Sequence, residues 1–189
     1  MKSTTMPTTP PLTGVPSGPT TIDAVDYRRV LGHVPTSVAV VTANARSGPV
    51  GMTVGSFTSV SLDPPLIAFF VDRSSRTWPR LYEASYFGIN ILGHGHSALC
   101  QAFSRRSEDR FLDVDWNPSA RDVPLLDEAI VTLECTRAKV DLIGDHYQVV
   151  GRVETMELRA TDPPLIFLRG GFVDMSSSDE APGRDGMNA

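Results

Sequence analysis

The sequence predicts a mainly β fold, an antiparallel barrel or sandwich with only short helices, and three observations predict it. Gly and Pro contribute 15 residues each to a chain of 189, which favours many turns. About seven stretches carry the β-branched, aromatic or alternating pattern of strands. Those stretches follow one another through turns and not through long crossover helices, so a doubly wound sheet is not expected.

In chain order, Ile22 to Leu31 reads as a short helix, with Thr21 or Asp23 as its cap and Gly32 suited to a left-handed position at its end. TSVAVVTA, Thr36 to Ala43, is a β-branched strand, and Asn44 to Gly48 is a turn. Pro49 to Leu62 alternates small, hydroxyl and apolar residues and reads as one extended stretch. Asp63 to Pro65 is a turn before the buried strand LIAFFV. A helix follows, with Ser74, Ser75 or Thr77 at its start, then the strand Tyr86 to Leu92 and a helix from Ser97 to Phe103. Glu108 to Phe111 is a helical turn, and an irregular stretch comes next. Two long strands, Ile130 to Val140 and His146 to Leu158, precede a second DPP turn at Asp162 to Pro164 and a last strand, LIFLRGGFV.

Length predicts one domain. Residues 1–21 hold seven Thr and five Pro with Lys2 as their only charged side chain, and no apolar run follows, so they read as a disordered tail and not as a secretory signal. Residues 175–189 have the same character, which leaves a folded domain over 22–174. A net charge of −5 argues against broad electrostatic binding to nucleic acid or to an anionic membrane. The longest apolar runs are far too short to span a bilayer. Two cysteines, Cys100 and Cys135, are too few for a disulfide framework and suit reduced thiols in a cytoplasm.

Several stretches could carry chemistry. Gly93 to Ala98 matches G-x-G-x-x-A after a strand, but its helix is short and no second parallel strand follows, so a dinucleotide fingerprint is not expected. His96 and Cys100 in the same region are spaced i, i+4, and two ligands do not make a metal site. Met52 to Ser61 alternates hydroxyls with Gly51 and Gly55 beside them, which allows a ligand close to the backbone, although such hydroxyls are often only a solvated face. Asp72 to Thr77 follows a buried strand and opens a helix, and its hydroxyls with Arg73 or Arg76 could hold a phosphate. Arg105 and Arg106 stand in a charge run, His146 at a strand start, and Phe172 beside two glycines at the end of the last strand. These residues describe a β-barrel with phosphate-compatible turns and do not reach a reaction.

The order of motifs is more specific than any one of them. YRRVLGHVPTSVAVVTA, GMTVGSFTSVSLDPPLIAFFVDRSSRTW, YFGINIL, QAFSRRSEDRF, VTLECTRAKVDLIGDHYQVVGRV and PLIFLRGGF together resemble the short-chain flavin reductases that serve two-component monooxygenases. The resemblance covers Asp26 to Phe172 and looks closest to members attached to actinomycete antibiotic pathways. It implies an antiparallel split β-barrel, a homodimer, and hydride transfer from NADH to FAD or FMN, with reduced flavin released to a partner monooxygenase. It implies that Thr53, Val54, Gly55, Ser56, Phe57 and Thr58 line the flavin ring edge, and that Asp72, Arg73, Ser74, Ser75 and Thr77 hold phosphate and ribityl chain. Arg105 or Arg106 would neutralise phosphate, His146 would lie near the nicotinamide as the catalytic candidate, and Phe172 would pack beside it. Phe172 stands where relatives often carry Tyr, and Gly55 where they often carry Ser. The alternatives are a flavin-binding or storage protein and an enzyme of the pyridoxamine phosphate oxidase type.

Overall fold

The β-branched run after Thr36 becomes two strands in the computed structural model, which describes residues 21–105 and 110–173. They are β1 (Thr36–Ser37) and β2 (Ala39–Ala45). Val38 and Val40 face one apolar cluster while Ala39, Val41 and Ala43 face another, so this stretch is buried on both sides and reads as continuously apolar. Ahead of it lies α1 (Ala24–Leu31), capped by Asp23, whose carboxylate accepts from the N–H groups of Val25 and Asp26. Gly32 ends the helix with φ −60°, not in the left-handed conformation expected of it, and its N–H still bonds back to Arg28.

β3 (Gly48–Val54), β4 (Thr58–Leu62), β5 (Pro65–Asp72), α2 (Trp78–Glu83), β6 (Tyr86–Leu92) and α3 (Ser97–Ser104) come next. The remainder is β7 (Trp116–Pro118), β8 (Pro124–Leu126), β9 (Ala129–Ile143), β10 (His146–Leu158), β11 (Ile166–Leu168) and β12 (Gly171–Val173). The main sheet has the order β3-β2-β6-β9-β10-β5-β4, and every pairing within it is antiparallel. A small sheet, β1-β11-β12, and the hairpin β7-β8 flank it.

β3 and β4 lie at opposite ends of that order, yet only Gly55, Ser56 and Phe57 separate them in the chain. A flat sheet of this width would hold its edges roughly 29 Å apart, whereas the chain from Val54 to Thr58 spans at most about 14 Å. The sheet therefore curls until its edges approach, giving a barrel split along the β3–β4 seam. Ser56 pins the crossing, donating to the Phe70 carbonyl (3.2 Å) and accepting from the Phe70 N–H (2.9 Å). The single extended stretch expected over Pro49 to Leu62 is thus two strands, broken where the chain changes edges.

Two further expectations are corrected. LIFLRGGFV is a hairpin and not one strand: Leu168 pairs with Gly171, and the loop residues Arg169 and Gly170 both have positive φ, as a two-residue turn of the primed type requires. The stretch expected to be irregular contains β7 and β8. The expected tails, 1–21 and 175–189, fall outside the described residues except for Thr21, as do Glu108 and Asp109 of the expected helical turn at Glu108 to Phe111.

The larger apolar cluster fills the barrel, with Val41, Phe69, Val71, Ile89 and Val149 nearly inaccessible. The smaller one, around Val40, Leu92, Phe103, Leu126 and Leu165, joins the main sheet to α3 and the flanking strands. Among the described residues no helix is long and apolar enough to cross a membrane.

Candidate functional site

The end of β5, the turn into α2, the end of β3 and the last turn of α3 converge on an open cleft of about 670 Å³. That volume suits a drug-sized or cofactor-sized ligand. Of the residues singled out in the sequence, Thr53, Asp72, Ser74, Ser75 and Thr77 line it together, with Arg76 beside them.

Several of those hydroxyls already have partners. The Asp72 carboxylate accepts from both the N–H (2.6 Å) and the hydroxyl (2.7 Å) of Ser74. The Ser74 hydroxyl, then its backbone N–H, holds the Asp72 carboxyl below its ordinary value, with a smaller pull from His146. Ser75 Oγ accepts from the Trp78 N–H (3.2 Å), while the residue at the α2 start, Thr77, makes no capping bond with its side chain. The Thr77 hydroxyl instead accepts from Arg110. Thr53 donates to the Cys100 carbonyl (3.1 Å), which binds β3 to α3.

The crossing segment lies beside the cleft and not in its wall. Val54 is buried, Ser56 is bound to β5, Phe57 packs on the barrel core, and the Thr58 hydroxyl donates to the Ser59 carbonyl (3.2 Å). The glycines expected to admit a ligand serve packing. A Cβ on Gly51 would sit 2.6 Å from the Phe103 ring, and one on Gly55 would meet the Thr36 hydroxyl at 3.1 Å. At Gly51 it is an aromatic side chain, not a ligand, that needs the missing methyl.

His146 pairs in register with Asp72 across β10 and β5, at the rim, with Nδ1 2.6 Å from the Asp145 carboxylate. That contact, led by the hydrogen bond, lowers the Asp145 pKa. The Arg73 N–H donates to the Asp145 carbonyl (2.9 Å), so the β9–β10 hairpin is tied to the cleft turn. Arg73 and Arg105 are exposed and outside the lining. Arg106 lies outside the described residues. Phe172 pairs with Phe167 on the small sheet and packs on the smaller apolar cluster, away from the cleft wall. Gly93 to Ala98 holds the strands together: Gly93 bridges to Pro164, and β6 is antiparallel to both its neighbours, which no Rossmann unit allows.

Sequence reasoning missed Met52, Arg80, Phe103, Ser104 and Arg110 as cleft residues. Arg80 lies in α2, whereas Arg76 precedes its N-cap Thr77, so no helix face joins the two and their four-residue spacing was no signal for the site. Arg110 had no local signal. It reaches the site by donating to the Gly51 carbonyl (2.7 Å) and to Thr77 (2.9 Å), residues distant in sequence. The arrangement offers one carboxylate, several hydroxyls and three arginines around a wide opening. Such groups bind and orient an elongated anionic ligand; among the lining residues there is no histidine or cysteine to act as a nucleophile or its base.

Comparison with known proteins bears on what that ligand is. Residues 31–176 match the family described as flavin reductase like domain. "Flavin reductase" of Pseudomonas putida is 40% identical over 152 residues, 80% of this chain and 89% of that protein. "Flavin-dependent monooxygenase, reductase subunit HsaB" of Rhodococcus jostii (strain RHA1) is 32% identical over 170 residues, 89% of this chain and 87% of that one. Among solved structures, the Streptomyces globisporus C-1027 NADH:FAD oxidoreductase SgcE6, in complex with NAD and FAD fragments, superposes with a TM-score of 0.78 at 34% identity, covering 84% of this chain and 96% of that one.

Proposed function

The chain belongs to the flavin reductase like family, and from that premise we infer that it transfers hydride from NADH to FAD or FMN and supplies reduced flavin to a partner monooxygenase. The observation that carries this reading is the cleft itself, which joins the two segments expected to touch flavin, at Thr53 and at Asp72 to Thr77, and adds arginines to them. The fit is chemical as well as spatial: Arg76, Arg80 and Arg110 bring three cations to the cleft, and among the described residues Arg110 Nε is buried without a hydrogen-bond partner.

Flavin supplies the redox chemistry when bound, accepting hydride from the nicotinamide. The protein's part is to bind, orient and then release. Thr53 on β3 and the Asp72 to Thr77 turn set two walls of the cleft, with the Gly55 to Thr58 crossing at the ring edge. Ionised Asp72 accepts hydroxyl donors such as those of a ribityl chain, while the arginines attract phosphate. His146 at the rim faces the nicotinamide, and Phe172, which lies on the small sheet, is assigned to it by the family resemblance alone. The open cleft suits a flavin that arrives and leaves.

A second copy of the chain completes the site in this reading. In support, α1 buries none of its residues, and Val25, Tyr27, Val30 and Leu31 are exposed on it. An apolar helix face of this kind belongs at an interface. A cytoplasmic setting fits the two cysteines, both buried and unpaired.

Purified protein is expected to oxidise NADH only when FAD, FMN or riboflavin is added. NADH left untouched with every flavin, or a firmly held flavin that ignores added flavin, would count against a diffusible-flavin reductase. His146→Ala is expected to change the single-turnover rate of reduction by NADH while flavin Kd stays near wild type; a variant that loses flavin affinity instead would move His146 out of the nicotinamide role.

A further inference from the structure

We propose that Arg137 is a positioning residue for the cleft: it clamps the far end of α2 through the Ala84 carbonyl and the Tyr82 ring, and so fixes the Asp72 to Thr77 turn at the other end of that helix. The proposal rests on the flavin reductase reading and gives a function to a side chain that is no part of the cleft wall.

Arg137 sits on β9 beside a bulge. Lys139 pairs with Val150 and Arg137 with Gly151, which leaves Ala138 without a partner on β10. A bulge of this kind re-aims the side chains next to it, and the Arg137 guanidinium meets α2. Its carbon lies 4.1 Å from the Tyr82 ring centroid, and Nη1 donates to the Ala84 carbonyl (3.2 Å). Ala84 is the C-cap of α2, where carbonyls lack helical partners and a cation is favourable. The side chain is half-buried, and burial lowers the Arg137 pKa against a smaller opposite pull from Tyr82. Taking a cation partly out of water is costly, and the ring contact and the charge-assisted hydrogen bond offset that cost only while α2 keeps this place.

The position of α2 reaches the cleft through short links. The helix is six residues long, it buries Trp78 and Leu81, and Thr77 at its start makes no capping bond with its side chain. Two buried side chains three apart form one apolar face; that face sets the distance of α2 from the barrel and leaves its tilt to its ends. Tyr82, held by Arg137, stands edge-on to Trp78 at 5.5 Å between centroids. The Trp78 N–H donates to Ser75 Oγ (3.2 Å), and the Ser75 N–H donates to the Asp72 carbonyl (3.0 Å). Ser75, Thr77 and Arg80 all line the cleft, so a tilt of α2 displaces one of its walls.

The test compares Arg137→Met, Arg137→Lys and Tyr82→Leu with wild type by FMN titration, steady-state kinetics and amide hydrogen exchange at Ser74 and Ser75. Asn90→Leu is the control for lost stability alone, since the Asn90 hydrogen bonds go to β2 and β8. Arg137→Met is expected to raise Kd and KM for FMN on the order of 10-fold, as a small misplacement of binding groups does, with kcat at saturation largely kept. Exchange at Ser74 and Ser75 should quicken in the same variant. Arg137→Lys, which keeps the charge and a donor for Ala84, should recover part of both effects. Tyr82→Leu should show them in weaker form, and it carries the test if Arg137→Met does not fold. Asn90→Leu should leave FMN affinity and the exchange at Ser74 and Ser75 near wild type. Loss of stability in Arg137→Met and Tyr82→Leu with FMN affinity and exchange unchanged overturns the proposal, because Arg137 would then serve the fold alone. So does an equal rise of FMN Kd in Asn90→Leu. Wild type that binds FMN but never oxidises NADH would sink the reductase reading, while affinity and exchange would still decide whether Arg137 positions the turn.

Discussion

Phe103→Ala is expected to destabilise the domain by about 3–5 kcal/mol and to weaken flavin binding in the molecules that remain folded. Phe103 is 1% exposed, at the end of α3, and its ring stands edge-on to Phe111 at 5.0 Å between centroids. It also occupies the space over Gly51. Truncation leaves a void that α3 cannot close by itself, because Thr53 holds the helix to β3 through the Cys100 carbonyl. The functional effect follows from the same position. Phe103 is part of the cleft wall, and Gly51 beneath it supplies the carbonyl that orients Arg110. Urea unfolding and a flavin titration under native conditions separate the two effects. Loss of stability with unaltered flavin affinity would show that this wall never meets the ligand.

The second large effect is confined to folding. Asn90→Leu is expected to cost roughly 3–5 kcal/mol, since each buried polar group left unpaired costs about 1–3 kcal/mol. Asn90 on β6 is fully buried. Its amide donates to the Val40 carbonyl and to the Thr42 hydroxyl, both at 3.0 Å, and its oxygen accepts from the Leu126 N–H at 2.9 Å. Thr42 in turn donates to the Pro124 carbonyl. This small network is what fastens β8 against the barrel. Leucine keeps the branched heavy-atom skeleton of asparagine with bulkier methyl groups and makes none of its hydrogen bonds. Denaturant midpoints measure the loss, and flavin affinity of the folded protein should be near wild type, because Asn90 is no part of the cleft wall. A change below about 1 kcal/mol would mean that water or a shifted β8 replaces these bonds.

Much of the fold was legible because its causes are local. The β-branched run at β2, the strand Tyr86 to Leu92 and the long β9–β10 hairpin around Gly144 follow from patterns a few residues wide. Asp23 caps α1 because its carboxylate reaches N–H groups two and three positions on. Clustering of Thr53 with Asp72 to Thr77 was legible too, through the order of motifs along the chain.

What the sequence by itself determined, then, is the set of strands and turns, the family, and the two segments that meet at the cleft. The tertiary structure alone decided the rest. Whether Pro49 to Leu62 was one strand or two depended on closure of the barrel, which brings the first and last strands of the sheet together. Whether Gly51 made room for a ligand or for Phe103 depended on where α3 docks. The hydroxyl of Ser56 looks free in sequence, and only packing shows that Phe70 takes it. Arg110 reaches the site through hydrogen bonds to residues far from it in the chain. In each case the deciding contact is long-range, and no local pattern of residue types encodes a partner that folding has yet to bring near.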